Sequence, residues 1–200
     1  MSRGLLIIDV QNDFTEGGAL GVPGGAAVAA GITRLLSQNR GRYDLVVASR
    51  DWHDAEGDNG GHFAPADAEP DFVTTWPVHC VAGTSGADYH PALDAGGVDV
   101  HIRKGQGVPA YSIYEGTSDD GAGLSAVLDS VGVNELDVVG IATDYCVRAS
   151  ALDALADGRD VRVLVDLVAG VSLESSTRAL DELRAAGATL ARSDDLAGED

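Results

Sequence analysis

Apolar residues fall along the chain in two alternating kinds of run. Leu5 to Val10, Leu45 to Ala48, Val98 to Ile102, Leu136 to Ile141 and Val161 to Val165 are short, rich in Leu, Ile and Val, and read as buried strands. Between them, Ala26 to Leu36, Gly123 to Val131, Asp144 to Leu155 and Glu174 to Ala186 repeat apolar residues at spacings of three and four, which predicts amphipathic helices. Strand and helix in alternation make βαβ units, and right-handed crossovers then give a three-layer α/β fold: a mostly parallel sheet with helices on both faces. Ser172 or Ser175 is placed to cap the last helix, and Thr189 to Ala191 reads as a short edge strand. The pattern predicts one domain over residues 1–192 and a disordered acidic tail over 193–200.

The stretch from Asp51 to Pro91 breaks this rhythm. It has no helical period, yet it concentrates Gly, Pro, Asp, His and both tryptophans. An irregular segment of that length inside a compact domain is usually functional.

Composition narrows the partners. The chain has 13 Lys and Arg against 32 Asp and Glu, a formal net charge of −19, so its surface repels phosphate backbones and anionic membranes. Neither nucleic acid nor membrane is expected, whereas a small molecule is; self-association is left open. The apolar run after Met1-Ser2-Arg3-Gly4 is too short for a signal peptide's core, and two cysteines cannot make a disulfide framework, so the cytoplasm is the expected compartment. One residue stands apart: Lys104 is the single lysine, every other basic side chain being arginine. Codon bias and adaptation to concentrated salt both account for that composition.

Ligands of open parallel sheets bind beyond the carboxyl ends of the strands. Asp9, Lys104 and Cys146 all fall at or just past predicted strand ends. A thiol at a helix N-terminus, a lysine that would lower its pKa and a carboxylate that could take its proton follow the logic of an activated nucleophile. Taken singly, Cys146 also reads as a small buried hydrophobe and Asp9 as a solvated strand end. A second group comes from the irregular segment, where Asp51 and His53 lie on one side of an extended chain and His62 and His79 follow. Carboxylate plus imidazole suits zinc, manganese or iron. His90 and His101 fit that group less well and read as hydrogen-bonded structural residues.

These motifs resemble the nicotinamidase/pyrazinamidase members of the isochorismatase-like cysteine hydrolases over nearly the whole chain. The carrying stretches are Ile7-Ile8-Asp9-Val10-Gln11-Asn12-Asp13-Phe14, Asp51-Trp52-His53, Gly61-His62-Phe63, Trp76-Pro77-Val78-His79-Cys80-Val81, Arg103-Lys104-Gly105 and Gly140-Ile141-Ala142-Thr143-Asp144-Tyr145-Cys146-Val147. The resemblance implies the isochorismatase-like hydrolase fold and hydrolysis of nicotinamide, and of pyrazinamide, to the acid and ammonia through a cysteine thioester, a step of NAD salvage. It implies Asp9, Lys104 and Cys146 as the catalytic triad. One divalent ion (Zn, Fe or Mn) on Asp51, His53, His62 and His79 would orient the pyridine nitrogen. It further implies an oxyanion hole from the N–H groups of Ala142 and Cys146 beside a cis Ile141–Ala142 peptide, and a pocket lined by Phe14, Trp76, Tyr111 and Ile141. Tyr145 stands where the family commonly has histidine, and the loop between His53 and His62 is a few residues longer than is usual in the family. Competing readings are another amide or ureido hydrolase with the same triad, a non-catalytic binding protein, and a thiol redox sensor using Cys80 and Cys146.

The acidic surface makes a prediction of its own. Screening over roughly 10 Å at 0.1 M salt relieves self-repulsion, so the melting temperature should rise with added salt. A flat curve from low to high salt removes the salt-adaptation reading and leaves codon bias.

Overall fold

The structure is a computed structural model and describes residues 2–198. The strands are β1 (Ser2–Ile8), β2 (Leu45–Asp51), β3 (Val100–Lys104), β4 (Thr117–Ser118), β5 (Val133–Ile141), β6 (Asp160–Ala169) and β7 (Thr189–Ala191). They form one sheet in the order β4-β3-β2-β1-β5-β6-β7, parallel throughout except for the β3–β4 pair. The helices are α1 (Gly25–Asn39), α2 (Leu124–Val131), α3 (Arg148–Ala156) and α4 (Leu173–Ala186).

Side chains of successive strand residues point to opposite faces, which is how one apolar run feeds two cores. Leu5 and Ile7 of β1 pack with Val28, Ile32 and Leu35 of α1, while Leu6 and Ile8 pack with Leu124 and Leu128 of α2, Ala151 of α3 and Leu183 of α4. The predicted three-layer fold is therefore present, with α1 on one face and α2, α3 and α4 on the other. Ser172 is the cap of α4, its side chain accepting from the Ser175 amide. No helix among the described residues is long and apolar enough to cross a membrane.

One expectation needs correction, and one strand was not read from the sequence. The tail was expected to be disordered from residue 193, yet Ser193–Gly198 forms a 3-10 turn; Leu196 is buried in the α1-side core and the Ser193 amide and hydroxyl donate to Asp166. Tail residues 199–200 lie outside the described residues. The edge beyond β3 is closed by β4, whose two residues carry too little apolar pattern to be read as a strand.

The irregular segment holds its shape by pairing rather than by regular structure. His53 bridges to Val81, and Phe63 to Trp76. The Asn59 side chain accepts from the Asp54 and Gly107 amides and donates to the Asp54 carbonyl, which ties down the longer loop before His62.

The centre of the sheet constrains Gly140. Its φ is +120°, and a Cβ there would sit 2.1 Å from the Ile8 carbonyl oxygen. At the α2 C-terminus Gly132 also has positive φ (+73°) but faces open space. Gly132→Ala should cost about 1–2 kcal/mol for the left-handed backbone alone. Gly140→Ala should cost at least about twice as much, since backbone must also move. Urea unfolding of both variants checks the order.

Candidate active site

Three neighbouring strands end at one place. β1 runs into Asp9, which takes φ +46°, a left-handed conformation that aspartate tolerates better than most residues. β2 ends on Asp51 and β3 on Lys104, and these two are register partners. Beyond β5 the Ile141–Ala142 peptide is cis, and the chain turns through a π-helical turn, Thr143–Val147, that carries Cys146 into α3.

The Lys104 ammonium is the hub. Its Nζ lies 2.9 Å from Asp9 Oδ2 and 3.7 Å from Cys146 Sγ, donates to the Ala110 carbonyl at 3.3 Å, and pairs closely with Asp51 Oδ1. All five residues are buried. The Ser49 hydroxyl donates to Asp9 Oδ1 at 2.6 Å, whereas Oδ2 faces the Lys104 ammonium.

Charge and burial compete here. Burial raises the Asp9 carboxyl above the ordinary carboxylate range, against the pull of Lys104. Burial would do the same to Asp51, but the Lys104 charge and the neighbouring His53 and His79 imidazoles hold it well below that range. Lys104 is raised well above the usual lysine value: burial opposes its charge, and the charges of Asp51, Asp9 and Cys146 outweigh that. Burial pushes the Cys146 thiol up more than Lys104 pulls it down, and Asp9 adds to the rise. The helix terminus and lysine were expected to lower the thiol's pKa; burial works against that, and it outweighs the lysine.

Beside the hub, one ligand atom from each of His53, His62 and His79 lies within 4.8 Å of the others. Asp51 Oδ2 is 3.7 Å from His53 Nε2 and 3.8 Å from His79 Nε2. His53 Nδ1 is engaged by the Gly105 carbonyl and His79 Nδ1 by that of Pro77, each at 2.7 Å, which fixes the rings with Nε2 inward. His53 Nε2 and His62 Nδ1 are buried with no hydrogen-bond partner. Burial and the neighbouring imidazoles push His62 down to about 4, so its ring is neutral. Orphaned imidazole nitrogens beside a carboxylate oxygen fit a divalent cation. His90 and His101 stand apart: His90 Nδ1 accepts from the Ala92 amide, and His101 Nδ1 meets the Tyr89 hydroxyl.

Both groups open onto a cavity of about 520 Å³. Phe14, Trp76, Tyr111 and Tyr145 form its aromatic wall, with Asp51, His62, His79, Ala142 and Cys146 reaching it. Trp76 Nε1 donates to the Tyr111 hydroxyl at 3.0 Å, and Tyr145 stacks on Tyr111 with ring centres 6.2 Å apart. Ile141, expected on this wall, is instead fully buried beneath it, close to the start of α1: a Cβ on Gly25 would meet its Cδ1 at 3.3 Å. Cys80 and Cys146 are both free and belong to cores on opposite faces of the sheet, which argues against a redox pair.

Two supporting residues escaped the sequence reading. Besides Ser49, the Gln11 side chain brackets the last residue of β2, accepting from the Asp51 amide and donating to its carbonyl. Both residues lie two positions from a site carboxylate, Gln11 from Asp9 and Ser49 from Asp51. Polar residues in phase with a functional acid at the end of an apolar run were the available signal.

Comparison with known proteins bears on the site. The Isochorismatase domain family matches residues 3–195. A nicotinamidase/pyrazinamidase of Mycobacterium tuberculosis is 48% identical over 188 residues, 94% of this chain and 97% of that protein. Among solved structures, the pyrazinamidase of Pyrococcus horikoshii in complex with zinc superposes with a TM-score of 0.81 at 35% identity, covering 96% and 99% of the two chains. A protein from L. infantum in complex with nicotinate has a TM-score of 0.81 at 33% identity, covering 96% and 93%.

Lys104→Met tests the charge balance. Removing one member of a buried ion pair costs about 3–5 kcal/mol. A carboxyl whose folded pKa lies above its unfolded value stabilises the fold at low pH and loses that contribution as pH rises. With the ammonium gone, Asp9 rises further, so urea unfolding with chelator present should show a larger loss at pH 7 than at pH 5. An equal loss at both contradicts the assignment of Lys104 as counterion.

Proposed function

The chain belongs to the isochorismatase domain family, and from that premise we infer that it is a nicotinamidase, hydrolysing nicotinamide, and pyrazinamide, in NAD salvage. The observation that carries this reading is the convergence of Asp9, Lys104 and Cys146 at an aromatic cavity whose wall also carries the Asp51 and histidine cluster. The family premise adds the names of the relatives: a nicotinamidase/pyrazinamidase at 48% identity, and neighbours in complex with zinc and with nicotinate.

Asp51, His53, His62 and His79 would hold a divalent ion, zinc, iron or manganese, which when bound supplies a Lewis-acid site for the pyridine nitrogen and so orients the ring. Phe14, Trp76 and Tyr111 pack against the ring and exclude water from it. The Cys146 thiol gives its proton to Asp9 Oδ2 and its sulfur bonds to the amide carbon. The oxygen then carries the negative charge, for which the Ala142 and Cys146 N–H groups are the assigned donors. Asp9 returns the proton to the amide nitrogen, the C–N bond breaks and ammonia leaves, with the acyl group held as a thioester. Asp9 next takes a proton from water, whose oxygen attacks the thioester carbon. The C–S bond breaks, the proton on Asp9 goes back to sulfur, and the acid formed gives its own proton to solvent as it leaves as nicotinate. Lys104 keeps a positive charge between Asp9 and the sulfur throughout.

Ammonia release from nicotinamide tests this directly. Cys146→Ala should bind nicotinamide and release no ammonia, while Cys80→Ala keeps most activity; equal loss in both would point back to the thiol pair. Asp9→Asn should slow the reaction by roughly a hundredfold to ten-thousandfold. Chelation should leave the protein folded but weaken nicotinamide binding, and full turnover after chelation would remove the metal from the reading.

A further inference from the structure

Trp52 alternates to the other side of the extended segment from Asp51 and His53, and there it enters a column of side chains that the reaction does not use. Arg50 Cζ lies 4.7 Å from the centre of the Trp52 ring and 4.7 Å from that of Tyr89, and Arg103 Cζ lies 4.8 Å from the Trp52 ring. Arg50 and Arg103 are register partners on β2 and β3, so two like charges stand side by side, an unfavourable pairing unless something offsets it. Asp119 offsets part of it, with Oδ1 3.1 Å from Arg103 Nη1. The rings supply the rest: the Nε atoms of both arginines are buried without a hydrogen-bond partner, and a guanidinium over an indole face is attracted more strongly as it is desolvated.

The column is anchored at its outer end. The Tyr89 hydroxyl meets His101 Nδ1 at 2.9 Å, and the Tyr89 backbone bridges to Gln11, whose side chain brackets the Asp51 peptide. Trp52 itself donates its amide to the Lys104 carbonyl at 2.8 Å. A shift of the indole would therefore turn the peptides on both sides of it, and with them the two side chains that complete the metal cluster.

We propose that Arg50 and Arg103 are positioning residues for the metal centre, clamping Trp52 so that Asp51 and His53 on either side of it are held in their ligating orientation. This rests on the reading of Asp51 and the three imidazoles as a metal site. Groups that orient metal ligands change metal affinity by about 10- to 100-fold when removed.

The test loads the full chain with zinc and follows its transfer to an excess of chromophoric chelator. It compares wild type with Arg50→Met, Arg103→Met, the double Met variant and the double Arg→Lys variant; the melting temperature of each chelated protein is measured alongside. Methionine keeps the aliphatic contact and removes the charge, whereas lysine keeps a cation over the ring. The double Met variant should lose zinc about 10- to 100-fold faster, with the single variants between and the lysine variant close to wild type, while the chelated proteins melt at nearly the same temperature. Equal transfer rates in wild type and the double Met variant overturn the proposal. So does faster transfer that comes with an equally lowered melting temperature and is not rescued by lysine, because that is general loosening. If wild type holds no zinc, the metal-site reading itself fails; if wild type and variants hold it equally, only the clamp fails.

Discussion

One buried ammonium organises this molecule. Taking a lysine and two carboxylates out of water costs several kcal/mol per ion, and only close, well-placed pairing offsets that cost. Lys104 meets the condition because the strand ends bring the group together: β1 runs into Asp9, β2 ends at Asp51, and the parallel register sets Asp51 directly beside Lys104. The balance is still incomplete, since two buried carboxylates face one ammonium. The other oxygen of Asp51 faces the inward imidazoles of His53 and His79, with His62 beside them, which is where a cation is best accommodated. Cys146 and the imidazole cluster therefore share one electrostatic unit, with Asp51 belonging to both.

The long irregular segment follows from that unit. A regular helix or strand could not carry His53, His62 and His79 to one point, because their spacing in sequence matches neither period. The chain instead loops out and returns twice, each return fixed by a single bridge and by backbone carbonyls that hold the rings. Cys80, at φ +47°, makes the reversal beside His79, and its amide is bound by the Asp13 carboxylate. Asp13, Gln11 and Ser49 thus form a polar layer beneath the site that holds backbone and carboxylate in place while leaving the cavity to aromatic side chains.

Much of this was legible in the sequence, and the gaps have physical causes. The five principal strands and all four helices were read from periodicity, because burial on both faces of a parallel sheet leaves uninterrupted apolar runs. Residues bearing the site's charges were visible as polar side chains at the ends of those runs. Ile141 was misplaced because adjacency to a functional loop says nothing about which core a side chain enters. The tail was misread because its many acids outweigh the one large apolar side chain, Leu196, that is buried in the core on the α1 face of the sheet. The upward push on the Cys146 thiol was out of reach: the lysine was visible in the sequence, but the depth of burial that outweighs it is a property of the assembled fold.

The solitary lysine also shapes what can be done to the folded chain from outside. With Lys104 only 1% exposed, no side-chain primary amine is presented to solvent among the described residues. Acylating reagents, aldehyde cross-linkers and enzymes that modify lysine find no side-chain target until the sheet opens at its strand ends. Amine labelling at this position thereby becomes a counter of opening events, and the arginine surface carries its positive charge in a form those reagents do not touch.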